Sequence, residues 1–427
     1  MVNNSVKKFL SAVLVIAICF SIYVLLLGNN LNYYLLIYNS EQVTEEDVKY
    51  INDYAKTIPG KVKFIDAKGV KSGASMCSAL KNSYQSISNN IKGIQIFGTK
   101  EQVPTFNIGY EINMGENIDR AYDDFVTDFF YSNFDSDMNR FNGCLGINTI
   151  IANGLKVSFK PKWLVARLPL AKGQIAPFIK KYFNYIGHAK AKENIPIVSF
   201  SNPILGELPI VDDMGYFIRQ KIDKEYGYLK RNQYKIYGLQ EGYYKVRNEV
   251  DGDFTKENVE KENINGIMHL VINCHGEKDK FIKTVFANEN MGSQKMTLFM
   301  DRSNINSILK HNYYTLTAWS CLVAENLDDQ NIVYDMLRYK CVGAIAPTTI
   351  ISNNGTNNMD SFEKSKRNNF YCFFYEFFHS LSSGCSYSQS FYNAQKVYAD
   401  AVWAHKYMEL AQYHILNLIG YQYLGLI

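Results

Sequence analysis

A histidine and a cysteine each stand directly behind a strongly apolar run. Residues 267–273 (IMHLVIN) lead into Cys274, His275 and Gly276, and residues 313–319 (YYTLTAW) lead into Ser320 and Cys321. An ordinary thiol, with a pKa of about 8.5, is mostly protonated near neutrality, and a neighbouring imidazole can hold it as the thiolate that attacks a carbonyl. His275 and Cys321 are therefore a candidate base and nucleophile for acyl transfer. Gly276 adds a further element, because a residue without Cβ lets the chain turn sharply and brings a backbone N–H close to a bound carbonyl. Together with the N–H of Cys321 it makes a candidate oxyanion hole.

Such a pair works only if two neighbouring strands end side by side. Both residues fall at carboxyl ends of strands, the edge of a parallel sheet where ligands bind, and adjacent strands would bring their backbones to about 5 Å. The rest of the chain has the required rhythm, with short apolar runs alternating with helical patterns from residue 32 onward. Strands are predicted at 33–38, 62–66, 93–97 and 163–170, then at 195–200, 234–239, 267–273, 313–319 and 341–346. Helices are predicted at 45–57, capped by Thr44 and stopped by Pro59, and at 172–186, 212–222, 369–381 and 386–416. This is an α/β fold class with mostly parallel sheets, divided into subdomains at 31–190 and 191–427. The stretch AYDDFVTDFFYSNFDSD reads as a long surface excursion. Its aspartates (Asp123, Asp124, Asp128, Asp135 and Asp137) fit a solvated acidic loop better than a calcium site, since they lack the EF-hand spacing.

Composition narrows the setting. The 427 residues are 47% apolar and 20% charged, with a net charge of +4. That balance is globular, and Lys and Arg are dispersed without the basic block that nucleic-acid binding needs. Residues 9–27 (FLSAVLVIAICFSIYVLLL) form an uncharged run of 19, enough at about 1.5 Å per residue to span a hydrocarbon core of ~30 Å. Lys7 and Lys8 precede it and the next positive charge is Lys49, so the positive-inside rule puts the N-terminus in the cytoplasm and the catalytic part outside. Residues 1–30 are accordingly predicted as cytoplasmic N-terminus and uncleaved anchor. The eight cysteines show no CxxC and no Cys/His spacing suited to zinc, so no metal or cofactor is expected. Cys274 and His269 lie within a strand pattern and read as core residues.

The motifs also resemble those of the gingipain family of caspase-like cysteine peptidases. HLVINCHGEKDKF followed by YTLTAWSC is similar to the family's strand ending in His-Gly and its next core strand ending in Cys. WLVARLPL resembles the GR-[IL]-P strand, with Arg167 and Pro169 in place and Ala166 where the glycine stands. IQIFGTKEQVP, DDFVTDFFYSNFDSD, CVGAIAPTT and the closing IGYQYLGLI resemble further family segments in the same order. The resemblance implies two caspase-like α/β/α halves, with His275 as base, Cys321 as nucleophile, and Gly276 and Cys321 as oxyanion donors. It matches the family's aspartate for a basic substrate side chain to Asp213 or Asp212. Two departures stand out: the segment SFSNP offers no acid where the family has its candidate third member, and GYQ replaces the terminal GDP. The expectation is a membrane-anchored extracytoplasmic cysteine endopeptidase acting on protein or peptide substrates. The alternative is an inactive gingipain-like surface binding or assembly module.

Overall fold

Tyr33–Tyr38 (β1) is the first element of the sheet, and its residues Leu35, Leu36 and Ile37 are completely buried because both faces of the strand are covered. Glu45–Ala55 (α1) follows. Thr44 Oγ1 accepts the Asp47 N–H while the Asp47 carboxylate accepts the Thr44 N–H, a reciprocal cap for a helix start. The same carboxylate also receives the N–H groups of Gly173 and Ala176, at 2.7 and 2.8 Å, and so fastens the start of a second helix, Ile175–Lys190 (α3). The helix expected to reach residue 57 ends at Ala55.

The computed structural model describes residues 32–112, 121–134, 145–146, 160–190, 195–201, 234–238, 251–286, 294–349, 371–404 and 418–427. Along the chain Lys61–Asp66 (β2), Gly73–Tyr84 (α2), Ile91–Phe97 (β3), Phe106–Ile112 (β4), Ala121–Thr127 (β5), Leu145–Gly146 (β6) and Leu164–Leu168 (β7) precede α3. Ile197–Ser201 (β8), Tyr234–Gly238 (β9), Gly252–Asp253 (β10), Lys256–Asn265 (α4) and Met268–Asn273 (β11) come next. His275–Glu277 (β12), Lys280–Phe286 (β13), Gln294–Asp301 (β14), Ile305–Ile308 (α5), Tyr314–Trp319 (β15) and Ile332–Arg338 (α6) follow. Cys341–Pro347 (β16), Tyr371–Ser382 (α7), Tyr387–Ala404 (α8) and Tyr421–Gly425 (β17) close the chain.

Eleven strands form one sheet in the order β10-β9-β8-β11-β15-β16-β17-β7-β3-β1-β2. Parallel pairing runs through β10 to β16 and through β7 to β2. The mixed α/β class with mostly parallel pairing is as expected. The two halves, however, share a single sheet: β17 pairs antiparallel with β16 and meets β7 through Leu424 opposite Arg167. At the end of β17 and just past it, Gly425 and Ile427 lie against the Gln95 side chain, which donates to Gly425 O at 3.0 Å and accepts from Ile427 N at 3.0 Å.

Two layers cover the sheet. One core gathers α2, α7, α8 and the β4–β5 hairpin, and the other gathers α1, α3, α4, α5 and α6. The aromatic run of α7 is core packing, with Phe373, Phe374, Phe377 and Phe378 all buried. The excursion around residues 121–134 is a correction to the sequence reading: Phe125, Val126, Phe129, Phe130, Tyr131 and Phe134 are buried, and so is Asp128. These clustered apolar side chains draw the segment inward, and Asp128 is neutralised by a partner 39 positions away in sequence. Asp135 and Asp137, like the helix expected at 212–222, lie outside the described residues. No described helix is long and apolar enough to cross a membrane; the run at residues 9–27 is likewise outside them.

Candidate active site

β11 and β15 pair residue for residue, from Met268 opposite Tyr314 to Asn273 opposite Trp319, so the two strands end in step. The next residues continue the register. Cys274 N–H donates to Trp319 O at 3.3 Å, and Cys274 Sγ lies 3.7 Å from Ser320 Oγ. His275 and Cys321 thus leave adjacent strands at the same level. Cys274 itself is buried, its Sγ turned to the His275 carbonyl at 3.2 Å, and burial pushes its thiol up to about 12. A thiol held that far above neutrality is a packing residue.

Gly276 is where the two strand ends touch. A Cβ placed there would stand 2.5 Å from Cys321 O, 2.7 Å from Val323 Cγ1 and 2.8 Å from Ser320 Cβ. Glycine is demanded here by the backbone of the neighbouring loop, which no side-chain rotation can clear. His275, immediately before it, begins β12 and is exposed, whereas Cys321 is half-buried at the start of a tight turn.

That turn is strained. Leu322 has φ +60, and Asn326 and Leu327 follow with φ +65 and +49. A left-handed leucine costs on the order of 1–3 kcal/mol and persists only where its surroundings impose it. Leu322 N–H donates to Thr349 O and Ala324 N–H to Pro347 O, each at 3.1 Å, so the turn hangs from the end of β16. β16 is held in turn by Thr348, whose Oγ1 donates to Val126 O at 2.6 Å and whose N–H donates to Gly420 O at 2.9 Å. Trp319 stacks on Phe374 at 4.7 Å beneath the cysteine.

Arg167, carried by the family-like strand β7, supports this edge from the other half. Its side chain is fully buried, with Nε 2.6 Å and Nη2 2.8 Å from the two oxygens of Asp128. Nη1 donates to the carbonyls of Gly98, Thr99 and Val103 at 2.8, 3.1 and 3.1 Å. Gln422 of β17 completes the knot, accepting the Asp128 N–H and donating to Thr127 Oγ1 and Ile419 O. The glutamine of GYQ is therefore a structural tie between the halves. Lys100 Nζ, 3.2 Å from Asn326 Oδ1, joins the loop after β3 to the turn after Cys321.

An apolar feature beside His275 was not anticipated from the sequence. β12, β13 and β14 form an antiparallel sheet in which His275 stands opposite Ile282 and Ile282 opposite Leu298, so the three share a face. Leu298 and, two residues before it, Met296 remain 45% and 59% exposed. The alternation in KFIKTVF and QKMTLFMD was the available signal. Asp212 and Asp213 lie outside the described residues. His269 is a packing residue as expected, with Nδ1 2.6 Å from Thr315 Oγ1 and its ring stacked on Tyr387. Among the described residues no group of His, Cys, Asp and Glu is arranged to hold a metal ion.

Comparison with known proteins agrees with this architecture. The sequence profile of peptidase family C25 matches residues 32–420. No curated protein sequence matches the chain. Among solved structures, the crystal structure of the Arg-specific cysteine proteinase gingipain R is similar with a TM-score of 0.58 at 12% identity, over 93% of this chain and 77% of that one. The complex of pro- and mature domains of RgpB from Porphyromonas gingivalis gives a TM-score of 0.58 at 12% identity, covering 92% and 78%. A structure described only as a protease gives 0.56 at 11% identity, covering 92% and 77%. At such identities the solved structures establish a shared fold.

Proposed function

The chain belongs to peptidase family C25, the gingipain family of cysteine peptidases, and from that membership we propose that it is a membrane-anchored extracytoplasmic endopeptidase using Cys321 and His275. His275 holds the Cys321 thiol as thiolate, which attacks the scissile carbonyl, and the developing oxyanion is received by the backbone N–H groups of Gly276 and Cys321. The imidazolium then returns its proton to the departing amine, leaving a thioester. Water, deprotonated by the same imidazole, releases the acyl group and restores the free cysteine. No cofactor enters the scheme. Residues 9–27 are the anchor, with Lys7 and Lys8 on the cytoplasmic side.

The observation that carries this reading is the contact of Gly276 with the Cys321 carbonyl at the end of two paired strands, beside a left-handed turn. Catalytic groups need that kind of over-determined backbone, since small displacements cost large factors in rate. The face shared by His275, Ile282 and Leu298 favours a substrate with an apolar side chain next to the cleaved bond. The test is cleavage of a peptide library by the purified full chain and by its Cys321→Ala variant. Loss of all cleavage in the variant supports the mechanism, and equal cleavage by both sinks it.

A further inference from the structure

The opposite edge of the sheet, where the strands begin, contains a cavity of about 1200 Å³. It wraps the starts of β1, β3 and β7 and reaches both helical layers, with Tyr182 of α3 on one side and Tyr392 and Lys396 of α8 on the other. Its wall is aromatic, including Tyr34 and Trp163, and its lining carries Lys92, Lys160, Lys162 and Lys396 with no Asp or Glu. Asp400 binds Lys160 at 2.8 Å from outside the lining. Lys162 and Lys396 lie 5.9 and 5.4 Å from the rings of Trp163 and Tyr392, an arrangement that keeps cations beside amphipathic aromatics.

Position in the chain gives this edge a neighbour. The apolar run ends at Leu27 and β1 begins at Tyr33, so residues 28–32 are the whole tether, and Asn32 itself lines the cavity. Five residues reach at most about 17 Å even when fully extended. The headgroup zone takes up roughly 5–7 Å of that distance, which leaves the cavity at most about 10–12 Å from the bilayer surface, where screening at physiological salt is still incomplete. A lysine-rich, tyrosine- and tryptophan-walled hollow at that height matches the interfacial region, where aromatic rings and basic residues collect.

We propose that this amino edge is a membrane-docking surface whose cavity accepts the headgroups of anionic phospholipids, holding the catalytic edge away from the bilayer. The proposal rests on residues 9–27 being the anchor. The test uses the full chain in vesicles of phosphatidylcholine alone and of phosphatidylcholine with phosphatidylglycerol, with flotation followed by amide hydrogen exchange. Docking predicts flotation with both vesicles and about tenfold slower exchange of residues 57–60 and 88–92 on the anionic ones only, with residues 320–327 unchanged. The double charge reversal Lys92→Glu and Lys396→Glu should abolish that slowing while leaving flotation intact. Flotation with equal exchange on both vesicles, or slowing that survives the charge reversal, overturns the docking surface. Failure to float overturns the anchor itself, a separate and recognisable outcome.

Discussion

The two edges of the same sheet are built in opposite ways. At the carboxyl edge the backbone is confined: Gly276 has no room for a methyl, Leu322 is forced into a left-handed turn, and Arg167 has its charge paired and its donors spent on Asp128 and three carbonyls. At the amino edge the strands open onto a cavity with lysine-bearing walls. The buried cations make the contrast sharpest. Arg167 faces a carboxylate, while Lys181, near the start of β16, donates to the carbonyls of Leu337 and Cys341, and burial lowers its ammonium to about 7. Close packing and full pairing fix the backbone of the carboxyl edge, whereas the amino edge holds a neutralisable lysine.

This contrast can be broken by substitution, beginning where the largest effect is expected. His275→Ala should lower kcat/KM for a peptide substrate by about 10³-fold or more, within the range for loss of a general base. Arg167→Met leaves Asp128 buried without its partner and should cost about 3–5 kcal/mol in denaturant unfolding. Gly276→Ala forces the Ser320–Val323 backbone aside and should reduce kcat/KM by about 10²-fold with a much smaller change in unfolding midpoint.

The amino edge should respond differently. Because Lys181 titrates near 7 when folded and near its ordinary 10.5 when unfolded, the unfolded chain binds more protons between those values. Stability therefore rises with pH across that window, and Lys181→Met should remove this part of the rise in unfolding free energies measured at pH 7 and pH 9.5. Lys92→Glu, at the cavity, should leave kcat/KM for a soluble peptide unchanged.

How much of this was legible in sequence depended on range. β1 and α1 followed from local signals, an apolar run and the Thr44 cap, and both begin where those signals put them. β11, β15 and β16 were legible because strands buried on both faces are continuously apolar. Their register was not, yet it is what brings Gly276 against Cys321. The aspartates of β5 and the following turn read as a solvated loop because Asp128 gives no local sign of Arg167. β17 was hidden for a similar reason: YQYLG becomes a strand only because β16 and β7 leave a space between them. The β12–β14 sheet had a readable alternation, overshadowed by the His-Gly pair that opens it.

The central claim, that Cys321 is an activated nucleophile, is tested most directly by the rate of thiol alkylation at pH 7. Full-length protein and its His275→Ala variant would be treated with iodoacetamide under native conditions and each cysteine followed by peptide mass spectrometry. The account predicts that Cys321 reacts about 10³-fold faster than Cys274, whose thiol burial pushes to about 12, and that His275→Ala slows Cys321 alone. Equally slow alkylation of the two thiols, or a Cys321 rate indifferent to His275, would contradict it.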